Sequence, residues 1–167
     1  MKMRPYFNMK IKYNDIALFI SDVDGTLTDG GMYYSSEGEI MKKFHTRDAV
    51  GLRLLQEQNI HVALITGEDS DIVKTRAKKL NIKLVYCGIT NKLEILNQIC
   101  GQLNISPEQV AYVGDDVNDL EIMRNVGISF AVSDAEESIL TVATVRLTKP
   151  GGSGAVRQAA NLILENI

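Results

Sequence analysis

IALFISDVDGTLTDGG, residues 16–31, decides the fold. It opens on an apolar run of strand length with no polar alternation, the pattern of a strand buried on both faces and so of the interior of a parallel sheet. It then turns to two aspartates two residues apart, Asp22 and Asp24, followed by glycine, threonine and a third aspartate. A buried carboxylate is costly unless it is paired, hydrogen-bonded or bound to a metal, so this strand end asks for a function as well as a place in the sheet.

Working outward, four more apolar runs have the same character: HVALITG (61–67), KLVYCG (83–88), QVAYVGDD (109–116) and GISFAV (127–132). Helical patterns lie between them, at TRDAVGLRLLQEQN (46–59), SDIVKTRAKKL (70–80), TNKLEILNQICGQL (90–103) and NDLEIMRN (118–125), with a last helix over about 153–163. Strand and helix in alternation predict an α/β fold: a Rossmann-like parallel sheet with helices on both faces. At 167 residues, with 45% hydrophobic and 23% charged residues, the chain fits one domain over 1–167. Such sheets bind ligands at the carboxyl ends of their strands.

The bulk properties narrow the partners. A net charge of −3 gives no reason to expect nucleic acid or an anionic membrane surface, and no apolar run reaches membrane-spanning length. The first 20 residues are basic but lack the apolar core and small-residue cleavage site of a secretory leader, so the cytoplasm is the expected compartment. Cys87 and Cys100 do not have metal-ligand spacing and read as buried thiols in a reducing compartment.

The carboxylates then converge. Asp22 and Asp24 close the first strand, and Asp115, Asp116 and Asp119 follow the fourth, where one rim of the sheet would gather all five. Taken singly, each reads as turn or cap chemistry: Asp24-Gly25 suits a turn, and Asp116 or Asn118 suits a helix cap. Taken together with a Thr-Gly after the second strand and a lysine opening a later helix, they predict a shared site. An all-oxygen set of this charge is what Mg2+ prefers, with phosphate oxygens completing its shell.

These residues carry a resemblance. DVDGT (22–26), LITG (64–67), Lys92 and GDDVND (114–119) resemble, in order, motifs I to IV of the haloacid dehalogenase superfamily of phosphohydrolases. DGTLTDGGMYYSSEGEIMKKFHTRDAVG (24–51), VAYVGDDVND (110–119) and GGSGAVRQ (151–158) resemble the small, nearly capless branch that contains the 3-deoxy-D-manno-octulosonate 8-phosphate phosphatases. The resemblance implies an HAD-like fold and a Mg2+-dependent phosphomonoesterase acting on a small phosphorylated sugar acid. It makes Asp22 the nucleophile that forms an aspartyl phosphate and Asp24 the general acid and base. Two residues apart on an extended strand, their side chains would share one face unless the turn reorients them. Mg2+ would be held by the Asp22 carboxylate, the Asp24 carbonyl and Asp115, with Asp116 and Asp119 orienting those ligands. Thr66 and Lys92 would stabilise the transferring phosphoryl group.

For the substrate, residues 27–45 read as a β-hairpin flap around SSEG, and the spacing of the motifs leaves no room for a large cap domain. Thr28, Asp29 and Gly30 would touch the sugar, Lys43 and Arg47 would approach from the other side, and Gly67 and Glu68 would line the rim; His45 reads better as a helix cap. Relatives of this branch close their sites by forming tetramers. The resemblance therefore implies a homotetramer in which Arg76 reaches a neighbour's substrate carboxylate, and Met32, Tyr33 and Tyr34 suit a flap packed on another chain. The chain departs from the octulosonate pattern at Glu68 and Ser153, where arginines are common. Glu68 with Lys79 resembles instead the phosphatases of nine-carbon keto-sugar acid 9-phosphates. Two other classes stay open: a non-catalytic assembly module, and a broad phosphatase or phosphotransferase of small metabolites.

Overall fold

The computed structural model describes residues 12–167. Part of the leader reading, and the first 11 residues of the expected single domain, therefore lie outside the described residues. The helical and extended elements are β1 (Leu18–Ser21), β2 (Tyr33–Ser35), β3 (Gly38–Met41), α1 (Thr46–Glu57), β4 (His61–Ile65), α2 (Asp71–Lys79), β5 (Leu84–Tyr86) and α3 (Lys92–Leu103). They continue with β6 (Val110–Gly114), α4 (Leu120–Met123), β7 (Ile128–Ala131), α5 (Glu137–Val142), β8 (Val145–Arg146) and α6 (Ala155–Leu164).

Six strands form one parallel sheet in the order β5-β4-β1-β6-β7-β8. The first apolar run is its centre: β1 is wholly buried and pairs with β4 on one side and β6 on the other. The chain builds leftward from β1 to β5 and then jumps back to build rightward from β6 to β8. With right-handed crossovers, that reversal puts helices on both faces and opens a crevice at the carboxyl end of β1. α1 packs on α6, while α3, α4 and α5 pack in series. Gly51 permits the α1–α6 contact, because a Cβ there would meet the Arg157 backbone at 3.0 Å.

The register positions the chemistry. Ser21 lies level with Leu64 on β4 and Val113 on β6. Asp22, Thr66 and Asp115 are each the first residue past their strand, so three loops leave the sheet side by side. Residues 33–41 form the expected hairpin, with Tyr34 opposite Glu39 and Ser35 opposite Gly38, and a bridge from Thr28 to Phe44 closes its base. This hairpin exposes Met32, Tyr33, Tyr34, Ile40 and Met41.

Three readings need correction. The helix expected over 118–125 is a 3₁₀ turn at Val117–Asp119 followed by the single-turn α4, because the Asp116 side chain caps the 3₁₀ turn by accepting from the Val117 N–H at 2.6 Å. α5 and β8 were not expected: EESILTVATVR mixes helical and β-branched residues over pieces too short to show a period. Cys100 is buried as expected, but Cys87 is only half-buried; both are free thiols.

Candidate active site

The nucleophile candidate grows directly out of β1. Asp22 is 3% exposed, and its N–H donates to the Val113 carbonyl at 3.0 Å, so the backbone is still pinned to β6 when the side chain leaves the sheet. Its Oδ1 accepts from Lys92 Nζ at 2.5 Å. Lys92 is the first residue of α3, which Asn91 starts by accepting from the Glu94 N–H at 3.1 Å. This lysine is as buried as Asp22 and is no surface charge. It also donates to Asp119 Oδ1 at 2.6 Å and to the Tyr112 hydroxyl at 3.3 Å.

Asp119 is wholly buried and saturated by protein donors. Its Oδ1 takes Lys92 and the Tyr112 hydroxyl, the latter at 2.5 Å, and its Oδ2 takes the N–H groups of Asp115 and Asp116 at 2.9 and 3.4 Å. That fits a residue that orients the 115–116 loop. Asp115 presents its carboxylate beside Gly25 and accepts from Thr26 Oγ1 at 3.0 Å. Asp22, Asp115 and Asp119 each offer an oxygen within 4.8 Å of the others. Asp116 is exposed and spends its carboxylate on the cap.

The turn does reorient the aspartates. β1 ends at Ser21, and the chain turns through 22–24, so Asp24 leaves the cluster for a second cation. Lys42 Nζ donates to its Oδ1 at 2.5 Å, and Thr66 Oγ1 donates to its Oδ2 at 3.0 Å. Thr66 in turn accepts from the Glu68 N–H at 3.2 Å. The paired carboxylates at the end of one strand thus face two different electrostatic environments.

Around this centre, glycines let backbone approach backbone. Gly25 has φ +89°, and a Cβ there would collide with the Asp115 carboxylate. The GGSG segment (151–154) lies against the same turn: a side chain at Gly151 would meet the Gly25 carbonyl, one at Gly152 would meet the Thr28–Asp29 peptide, and the Gly152 N–H donates to Thr26 O at 3.1 Å. The GGSG motif is therefore a brace for the turn that follows Asp22.

The substrate-side residues are partly assembled. Thr28 is buried and holds the Gly25 and Gly30 N–H groups at 3.3 and 3.2 Å. Asp29 is exposed and pairs with Lys43 at 2.9 Å. Gly30, Gly67 and Glu68 are exposed on loops around the rim, and Arg47 is exposed in the first turn of α1. His45 caps α1, its Nδ1 accepting from the Arg47 N–H at 3.2 Å. Arg76 stacks over the Phe44 ring at 5.4 Å, and Lys79, at the far end of α2, lines a cleft against α1 with Arg53 and Glu57. Neither is brought to the centre within one chain. Lys42 and Tyr112 were not singled out in the sequence: the first stands beside a second lysine, and the second reads as one more apolar residue in a buried strand.

The electrostatics call for a cation. Burial pushes Asp22 well above the ordinary carboxylate range; Lys92 pulls it back, and Asp119 and Asp115 push it further up. Burial, then Asp119, raises Asp115 to about 6. Burial works against the charge on Lys92, but Asp22 and Asp119 outweigh it and hold its pKa above the usual lysine value. Three carboxylates against one ammonium leave surplus negative charge in a hard-oxygen set, which suits Mg2+. Folded Asp115 binds protons more tightly than the unfolded chain, so metal-free protein loses stability as pH rises from 3.8 through about 6. Mg2+ should reverse this. The gain in melting temperature on adding Mg2+ to chelator-treated protein is expected to be larger at about pH 8 than at about pH 5. A gain independent of pH would place the cation elsewhere.

The geometry agrees with what the chain is similar to. Residues 88–158 match the model of the haloacid dehalogenase-like hydrolases. The 3-deoxy-D-manno-octulosonate 8-phosphate phosphatase KdsC of Haemophilus influenzae is 39% identical over 94% of this chain and 87% of its own. That of Escherichia coli K12 is 42% identical over 92% of this chain and 81% of its own. Among solved structures, the cobalt-bound H. influenzae phosphatase superposes with a TM-score of 0.90 at 38% identity, covering 92% of this chain and 90% of that one. The Moraxella catarrhalis phosphatase, in complex with magnesium, phosphate and KDO, superposes with a TM-score of 0.89 at 40% identity, covering 92% and 88%. With its aspartate turn after β1, its lysine at the start of α3 and its aspartates after β6, the chain belongs to the haloacid dehalogenase-like hydrolases, in the family of the 3-deoxy-D-manno-octulosonate 8-phosphate phosphatases.

Proposed function

We propose that the protein is a Mg2+-dependent phosphomonoesterase that hydrolyses 3-deoxy-D-manno-octulosonate 8-phosphate to the free sugar acid and phosphate. The observation that carries the reading is the division of labour at the end of β1. Asp22 sits among the carboxylates and Lys92, and Asp24 sits apart with Lys42 and Thr66. The first arrangement suits a nucleophile beside a charged phosphoryl group, the second a carboxyl that must gain and lose a proton.

In the first step an Asp22 oxygen attacks phosphorus, and the bond from phosphorus to the sugar oxygen breaks. Asp24 gives its proton to that departing oxygen. In the second step Asp24 takes a proton from water, the hydroxide oxygen bonds to phosphorus, and the acyl phosphate opens to return Asp22 and release phosphate. Asp22, the Asp24 carbonyl and Asp115 would hold Mg2+, which would supply charge stabilisation for the phosphoryl oxygens. Lys92 and Thr66, already on the two aspartates, are placed to offset charge and donate hydrogen bonds as the phosphoryl group transfers.

The sugar acid would lie under the flap, against Thr28, Asp29, Gly30, Lys43 and Arg47 on one side and Gly67 and Glu68 on the other. The exposed apolar flap supports assembly into a homotetramer, in which a neighbouring subunit would bring Arg76 and Lys79 to the substrate. Two free thiols suit a cytoplasmic enzyme, and among the described residues no helix is long and apolar enough to cross a membrane. Glu68, exposed at the rim, favours a second reading: a nine-carbon keto-sugar acid 9-phosphate as substrate, with Glu68 and Lys79 as the specificity pair.

Mg2+-dependent phosphate release from the octulosonate 8-phosphate, nine-carbon 9-phosphates and a hexose phosphate tests these readings, with Asp22→Asn as blank. The expected result is preference for the octulosonate. Preference for a nonulosonate moves the assignment to the second reading, and no release from any of them leaves the assembly module.

A further inference from the structure

The proposed mechanism leaves one buried cation without a part. Lys42 follows β3 in the flap; its side chain has 0% exposure, whereas the side chain of its neighbour Lys43 is 61% exposed. Its ammonium meets Asp24 Oδ1 at 2.5 Å and Glu39 Oε1 at 2.6 Å. The other Glu39 oxygen accepts from Ser70 Oγ at 2.5 Å, and Ser70 is the residue from which α2 begins. A chain of contacts therefore runs from α2 through the flap strand to Asp24, and Lys42 is its last link.

Packing alone does not account for this placement. Burying an ammonium is costly, and a hairpin can be held at its base by backbone pairing such as the Thr28–Phe44 bridge. Lys43 shows the cheaper alternative, a solvated ion pair with Asp29. Of the two donors on Asp24, Thr66 comes from the rigid end of β4, while Lys42 comes from the segment that covers the site.

We infer that Lys42 is a positioning residue for the acid–base step: it fixes the Asp24 carboxylate on the flap side of the rim, clear of the Asp22, Asp115 and Asp119 cluster, so that its proton is aimed at the leaving oxygen. The inference rests on the reading of Asp24 as general acid. It makes the flap part of the proton-transfer apparatus as well as a cover, since the flap sets the geometry of the acid through Lys42.

The test compares two leaving groups. The sugar phosphate the wild type turns over best needs a proton delivered to its alkoxide; p-nitrophenyl phosphate does not, because nitrophenolate departs unaided. kcat/KM reports the steps through the first transfer. Lys42→Met is expected to lower kcat/KM about 100-fold on the sugar phosphate and less than about fivefold on the aryl phosphate, the loss falling on kcat. Lys42→Arg should recover at least about tenfold of the sugar-phosphate loss, and Asp24→Asn should show the same selectivity as Lys42→Met. Glu39→Gln keeps the lysine but loosens its second anchor; its selective loss of about tenfold keeps the test decisive if Lys42→Met does not fold. Equal losses on both substrates for Lys42→Met or Glu39→Gln, with Asp24→Asn still selective, would show a lysine that merely holds the flap and would overturn the inference alone. An unselective Asp24→Asn would overturn the general-acid assignment and this inference with it.

Discussion

Asp22→Asn is expected to lower phosphate release at least about 10⁴-fold while raising the melting temperature of the metal-free protein. In the proposed mechanism, loss of Asp22 stops the acyl-phosphate route at its first step. The gain in stability has a separate cause: burial and the neighbouring Asp119 and Asp115 make the ionised Asp22 unfavourable in the folded state. An amide oxygen can still accept from Lys92 without adding to the negative charge. The same variant should therefore need Mg2+ less for stability and bind it more weakly. Steady-state turnover and melting curves in chelator and in Mg2+ read both effects. Turnover above about 1% of wild type would mean that another group attacks phosphorus.

Lys92→Met should have the opposite effect on stability. Lys92 is the ammonium that faces both Asp22 and Asp119, and removing it leaves buried carboxylates uncompensated. Breaking a buried pair in this way costs about 3–5 kcal/mol, and Mg2+ should restore part of it by supplying positive charge to the same oxygens. Activity should fall as well, since the transferring phosphoryl group loses a charge partner. Denaturant unfolding in chelator and in Mg2+ measures the difference. A variant as stable as wild type without metal would show that the carboxylates are already neutralised by protons.

The central strands were readable because β1, β6 and all of β4 past its first residue, the exposed His61, are buried on both faces and so stay mostly apolar; β1 and β6 close on their aspartates. The residues of the centre were readable for a related reason: Asp22, Thr66 and Asp115 each stand one position past a strand, where a parallel sheet must gather them. What escaped was set by the third dimension. Lys42 and Lys43 are the same residue type side by side, and nothing in their sequence says which one is buried. Tyr112 hides its hydroxyl in a run of apolar neighbours, yet that hydroxyl donates to Asp119. The brace formed by Gly151 and Gly152 depends on a close approach between segments more than a hundred residues apart, of which the glycines themselves are the only local trace. Arg76 carries its charge onto Phe44, a pairing that helical periodicity cannot show.

Several contacts that hold the centre together join distant stretches of the chain. Asp22 and Lys92 are 70 residues apart and Thr26 and Asp115 are 89 apart, while outside the centre the hydrogen bond from the Arg157 N–H of α6 to Asp48 of α1 spans 109. Loop-closure entropy must be met before such contacts return anything, so the centre is expected to assemble late, and damage to it should register in how fast the protein unfolds more than in how fast it folds. During synthesis Asp22, the proposed nucleophile, would leave the ribosome before Lys92 or the glycine brace exists. A half-made chain would then carry Asp22 without its lysine or its brace, and the proposed phosphatase chemistry would wait until residues 151–154 close over the turn.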